Sequence, residues 1–391
     1  MIIKSILDLD LYKLTMQQAV IKLFPRAKVR YKFINRGKTA FPEGFGEALR
    51  QEVKEMEALA MTKHEKIFLH TRCNGFLEPT YLDFLYGYRF DSSEVGIIQS
   101  GSDLDVSIEG YWHRTILWET NLMAAISELY FKMTGGKKWD AQTREKNNAQ
   151  KKMLLFRMNG IHYGDLGTRR RESFDNHAEV VAQFANNGRN ENFTGTSNVY
   201  LAFLNNIKPL GTQAHEWFMF HAAKYGYKMA NSLAMEHWSE VYRGSLGIAL
   251  SDTFTTDVFF KSFETKFAKL YDGIRQDSGD PVEFVDKTIA HYNKLGINPK
   301  SKVIIFSDSL NPEKAVEIKE YCRGKIMCSF GIGTNFTNDV GLKPLNMVIK
   351  MTEAKPEGDD WTPTIKLSDT NGKHLGDEKE IEICKHILKI K

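Results

Sequence analysis

Asp280-Pro-Val-Glu283 opens a helix, Gly296 ends it, and Val303-Ile-Ile-Phe306 follows as an apolar run that stops at Ser307-Asp308. Asp280 takes the N-cap position, Pro281 the first helical position, and Glu283 completes a capping box. A four-residue apolar run without polar alternation marks a strand covered on both faces. Pro312 begins the next helix and Gly324 closes it. Residues 326–330 then form another strand, ending at Gly331-Ile-Gly-Thr334. Strand, helix, strand in this order implies parallel strands joined by right-handed crossovers.

The same ending recurs upstream. Apolar runs stop at Asp165-Leu-Gly-Thr-Arg-Arg-Arg171, Gly195-Thr-Ser-Asn198, Gly211-Thr-Gln-Ala-His-Glu216, Ser251-Asp252 and Arg275-Gln-Asp-Ser-Gly-Asp280. Their spacing is that of strand–loop–helix–loop units. With each cluster at the carboxyl end of a parallel strand, all seven converge on the rim where a (β/α) barrel builds its active site.

Ahead of these units, residues 27–34 alternate, with Val29, Tyr31 and Phe33 on one face, as a half-buried strand does. Phe45, Leu49, Val53, Met56 and Leu59 fall at helical spacing, and residues 115–133 read as a buried helix. Thr134-Gly-Gly-Lys-Lys138 breaks that helix and predicts a hinge, after which a polar helix over 143–158 leads into the repeating units. The pattern lapses after Gly341. Residues 345–351 and 364–367 read as strands returning to the first domain. The expected division is 1–135 with 342–391 as an α+β domain, and 136–341 as the barrel.

The chain's 391 residues suffice for two domains and a large core. A hydrophobic content of 42% and a charged content of 26% are those of ordinary globular proteins. A net charge of +4, with its one dense basic spot at Arg169-Arg170-Arg171, makes no track for nucleic acid. The four cysteines lack metal-ligand spacing and read as buried thiols in a reducing compartment. No stretch has signal-peptide or membrane-span character. The expectation is a soluble cytoplasmic protein.

The polar tips carry the chemistry. Gly331 and Gly333 let backbone N–H groups approach a phosphate, and the residues after them predict a backbone nest rather than a helix end. Ser307-Asp308 serves equally as an N-cap or as a phosphate or ribose contact. Asp277 suits vicinal ribose hydroxyls or magnesium, and Arg275 suits an anion or an ion pair with a neighbouring Asp. His215 precedes an aromatic pair, as interior histidines do, but sits on a short loop opening a helix, where a neutral imidazole is an available nucleophile. There is no His-Glu-x-x-His, no Cys-x-x-Cys and no P-loop.

Taken in order, these stretches resemble the nicotinate phosphoribosyltransferase family. They are joined by Asp8-Leu-Asp-Leu-Tyr-Lys-Leu-Thr-Met16, Gly110-Tyr-Trp-His-Arg-Thr-Ile-Leu-Trp-Glu119 and Leu367-Ser-Asp369. The resemblance implies a type II phosphoribosyltransferase fold: an irregular α/β barrel with a discontinuous α+β domain made from both chain ends. It further implies a homodimer with active sites at the subunit boundary. The implied reaction joins nicotinate to phosphoribosyl pyrophosphate, with ATP hydrolysis coupled through a phosphohistidine at His215 and with magnesium as cofactor. Asp252 is expected to orient that ring. Arg169 and Arg275 are expected near the pyridine carboxylate and the phosphates, Asp277 at the ribose, and Ser307, Asp308, Gly331 and Gly333 around the 5′-phosphate. Thr196, Ser197 and Thr334 complete the substrate-binding set. Tyr12 is expected to reach across the dimer and stack on the pyridine ring. Leu166 stands where relatives usually carry Phe on the ring's other face, a difference of about 1 kcal/mol in stacking.

Ser197 also bears on the choice of base. The related nicotinamide enzymes carry Asp there. An Asp about 4 Å from nicotinate's carboxylate would repel it by roughly 4 kcal/mol at an effective dielectric near 20; serine removes the charge and supplies a donor. Quinolinate phosphoribosyltransferase, a smaller barrel enzyme without ATP, fits the length and the 211–217 stretch less well. A non-catalytic sugar-phosphate sensor would not need His215, Asp252 and Arg275 together.

Overall fold

The computed structural model describes residues 1–135, 149–185, 190–370 and 374–390. Most of the predicted hinge at 134–138 and the first half of the predicted 143–158 helix lie outside them; Ala149–Met158 is helical. Six short strands form one parallel sheet: β4 (Tyr163–Asp165), β5 (Phe193–Thr196), β6 (Ile248–Leu250), β7 (Gly273–Gln276), β8 (Val303–Phe306) and β9 (Met327–Ile332). Their order is β5-β4-β9-β8-β7-β6. Residues 209–213 bridge the ends of that order. Pro209 pairs with Thr196 of β5, and the side chains of Thr212 and Gln213 donate to the Ile248 carbonyl of β6. This irregular stave closes the barrel. The sequence places a strand end at Gly211, but with Pro209 and Gly211 in it the segment makes only a bridge and side-chain bonds rather than a regular ladder.

The second layer is antiparallel and drawn from both ends of the chain: β1 (Lys28–Ile34), β2 (Val95–Ser100), β3 (Asp103–Tyr111), β10 (Val348–Lys355) and β11 (Thr362–Pro363). Its order is β11-β10-β1-β3-β2, so the late strand β10 lies beside the early strand β1. The fold is thus an irregular α/β barrel plus a discontinuous α+β domain. The strand expected at 345–351 begins at Val348 and runs on to Lys355. Around 364–367 there is only a single bridge, Lys366 to Leu375.

Local chemistry explains most of the element ends. Asp280 caps the helix Pro281–Lys294 by accepting from the Glu283 N–H at 2.8 Å. The predicted capping box is not completed, because the Glu283 carboxylate pairs with Lys287 at 2.9 Å instead. Strand β9 runs to Ile332 and so includes Gly331, and the chain then makes a one-turn helix, Thr334–Thr337, where a nest was expected. Gly273 has a packing reason: a Cβ there would lie 1.9 Å from the Val303 carbonyl oxygen of β8. The buried core is continuous across both layers. Among the described residues no helix is long and apolar enough to cross a membrane.

Candidate active site

The carboxyl ends of the parallel strands and the edge of the antiparallel layer enclose a cavity of about 590 Å³. Of the residues singled out from the sequence, all but Thr196 and Asp252 line it. Those two stand behind the wall, fully buried. Thr196 donates to the Asp165 carboxylate at 2.5 Å, which also holds His177 Nε2 at 2.6 Å. This cluster sets the paths of the loops after β4 and β5. A second cavity of about 680 Å³ lies behind residues 278–280 and 368–369. The barrel tips gather at the first, which is where the chemistry belongs.

His215 begins the helix His215–Tyr225 and is 5% exposed. Its Nδ1 lies 2.9 Å from Thr253 Oγ1. Its Nε2 lies 2.9 Å from Asp277 Oδ2 and 2.8 Å from Lys366 Nζ. Asp252, expected to orient the ring, is farther, at 3.8 Å. That carboxylate instead takes Lys366 at 3.2 Å and the Ser278 hydroxyl at 2.6 Å. Burial and the Lys366 charge press the imidazole down to about 4, against the upward pull of Asp252 and Asp277. At neutral pH the ring is therefore uncharged, with a nitrogen lone pair available.

Asp277, expected at the ribose, lines the cavity with one oxygen accepting from Ser307 at 2.7 Å and the other facing His215. Burial would raise its carboxyl, but the Arg275 charge at 3.8 Å holds it well below the usual carboxylate range. The arginine cluster divides three ways. Arg169 opens onto the cavity with Asp10 at 3.8 Å. Arg170 donates to the Met347 carbonyl. Arg171 is fully buried, in a two-bond pair with Asp8 at 2.6 and 2.9 Å. Ser197 gives its hydroxyl proton to Asp10 at 2.7 Å, so the donor expected for the substrate is already engaged.

Models of the nicotinate phosphoribosyltransferase family and of its N-terminal domain match residues 161–391 and 7–127. The chain belongs to the nicotinate phosphoribosyltransferase family. It is 56% identical to the nicotinate phosphoribosyltransferase of Chromohalobacter salexigens, over 98% of each chain. It is 51% identical to that of Desulforapulum autotrophicum, over 99% of each. The crystal structure of the Porphyromonas gingivalis nicotinate phosphoribosyltransferase superposes with a TM-score of 0.95 at 45% identity, covering both chains completely.

Tyr12 lines the cavity within its own chain, its hydroxyl 3.5 Å from Glu119 Oε2. Several cavity residues escaped the sequence reading: Asp10, Arg36, Glu119, Lys350 and Lys366. All but Lys366 come from the antiparallel layer or the segments entering it, whose residues give no strand-end signal of the barrel kind. Lys366 was detectable in principle, since it stands between buried Ile365 and Leu367 in a stretch that alternates.

Proposed function

We propose that this chain joins nicotinate to phosphoribosyl pyrophosphate, giving nicotinate mononucleotide and pyrophosphate for NAD biosynthesis by salvage. ATP hydrolysis is coupled to this step through phosphorylation of His215. The observation that carries the reading is a buried imidazole facing the same cavity as Arg169, Arg275 and the glycine-bearing end of β9.

Arg169 suits the pyridine carboxylate, with the ring between Tyr12 and Leu166. The 5′-phosphate suits the backbone at Gly331, Gly333 and Thr334, where a Cβ on Gly331 would collide with Leu166. The pyridine nitrogen attacks the anomeric carbon, the bond to pyrophosphate breaks, and the leaving group departs with the electron pair. Positive charge then develops on the sugar and negative charge on the leaving group. Arg36, Arg275 and Lys350 border the cavity and suit the latter.

The resemblance also implies magnesium. Among the described residues, His215, Asp252 and Asp277 bring three ligand atoms within 4.8 Å of one another. They do not fit Mg²⁺, which asks for oxygen donors in octahedral array. One donor is an imidazole nitrogen, and the Lys366 ammonium already lies 2.8 Å from it and 3.2 Å from Asp252. No step is routed through a metal at this cluster.

Incubation with γ-labelled ATP should label the wild type on His215 and leave His215→Ala unlabelled. Product formation should require nicotinate and phosphoribosyl pyrophosphate, with quinolinate inert. An unlabelled wild type, or a His215→Ala enzyme that still couples ATP, overturns the coupling. Pyrophosphate release that ignores nicotinate overturns the transfer.

A further inference from the structure

Three charged groups compete for one nitrogen of His215. Asp277 Oδ2 at 2.9 Å and Asp252 Oδ1 at 3.8 Å both ask for an N–H on Nε2. Lys366 Nζ at 2.8 Å can only donate, and so asks for a lone pair there. On the far side of the ring, Thr253 Oγ1 lies 2.9 Å from Nδ1 and is free to accept a proton from it. Asp252 Oδ1 has no hydrogen-bond partner among the described residues, while its other oxygen anchors Lys366 and Ser278. The ammonium is thus held from below by a buried carboxylate and aimed at the imidazole, and its side chain is 11% exposed. Arg275, 3.8 Å from Asp277, adds positive charge beside the same carboxylates, whereas Lys350, on β10, faces Glu119 at 3.8 Å.

We propose that Lys366 is a positioning residue that keeps His215 with its proton on Nδ1 and its lone pair on Nε2, and that afterwards pairs with the phosphoryl group carried there. The second half rests on the phosphohistidine reading above; the first half does not. With Lys366 in place, the Nε2 lone pair attacks the γ-phosphorus of ATP. The bond from that phosphorus to the β–γ bridging oxygen breaks, and ADP leaves with the electron pair. The Nδ1 proton stays on the ring against Thr253, so no base is needed. Lys366 gives up its hydrogen bond to the lone pair and meets the new phosphoryl oxygens, with Asp252 as its fixed anchor. Without the ammonium, the two carboxylates would draw a proton onto Nε2 and block the attack.

The test compares Lys366→Met and Lys366→Arg with wild type in the full-length protein. Histidine ¹⁵N spectra of the apo protein should show His215 Nε2 unprotonated in the wild type and protonated in Lys366→Met at neutral pH, with Lys366→Arg close to wild type. The rate of His215 labelling by γ-labelled ATP should fall roughly ten- to a hundredfold in Lys366→Met, the loss expected for a charge-assisted hydrogen bond. The acid limb of that rate should move to higher pH, because Asp252 and Asp277 are no longer opposed. Lys366→Arg, which keeps the cation, should recover most of the rate and guards against misfolding of the first variant. A Lys366→Met protein whose His215 keeps the wild-type tautomer and pH profile overturns the proposal. A wild type that shows the predicted tautomer but takes no label overturns the phosphohistidine reading and leaves the positioning role standing.

Discussion

Ser197 shows how a single contact redirects an argument made from charge alone. Its hydroxyl proton goes to Asp10, a carboxylate fully buried in the wall and pushed upward by burial despite Arg169 and Ser197. The serine holds Asp10 in place and carries no charge itself. An Asp at position 197 would face both Asp10 and a nicotinate carboxylate. Against nicotinate alone, at about 4 Å and an effective dielectric near 20, the repulsion is roughly 4 kcal/mol, close to a thousandfold. Ser197→Asp should therefore lower kcat/KM for nicotinate by about that factor relative to nicotinamide, as measured by competing the two bases. Equal losses for both would remove charge as the discriminator. The absence of charge at 197 is visible in the chain; the Asp10 contact is not, because it joins residues far apart in sequence.

At the scale of elements, seven polar clusters at strand ends were legible because each closes an apolar run of the right length. The glycines inside those strands are explained only by neighbours. A Cβ on Gly273 would strike the Val303 carbonyl oxygen at 1.9 Å, whereas one on Gly331 would meet Leu166 Cδ1, the far end of a flexible side chain, at 2.3 Å. The two Gly→Ala changes should separate cleanly. Gly273→Ala forces β7 from β8 and should cost on the order of 3 kcal/mol, the upper range for overpacking, seen as a lower melting temperature. Gly331→Ala should leave melting nearly unchanged, because Leu166 can turn away. It turns toward the cavity's ligands, so KM for nicotinate or for the phosphoribosyl donor should rise roughly tenfold, about 1.4 kcal/mol. Matching melting losses would show that Leu166 is wedged and that the strand end is rigid.

Across the whole molecule, the amino-terminal segment ties the layers together. The Leu11 N–H donates to the Ser197 carbonyl, and the Val199 and Tyr200 N–H groups donate to Leu9 and Leu7. Beneath the site, Lys13 joins Glu119 at 2.5 Å to Glu216 at 2.7 Å, fully out of solvent. The Asp8–Arg171 pair is the strictest of these links, with both side chains at 0% exposure. A sequence shows three consecutive arginines and cannot say which one is buried, since that depends on a carboxylate more than 160 positions away. Asp8→Asn keeps the shape but strands the guanidinium, which should cost about 3–5 kcal/mol, whereas Asp8→Leu with Arg171→Met should recover most of it. Burial would raise the Asp8 carboxyl, yet the Arg171 charge and hydrogen bonds hold it below its ordinary value. Its contribution is therefore complete above the ordinary carboxylate range and fades as pH falls through the depressed folded value. Denaturant titrations of wild type and Asp8→Asn should thus differ most near neutrality and converge in acid. A gap that stayed constant down to the acid limit would mean that the pair holds shape rather than charge, and that the layers are joined by packing alone.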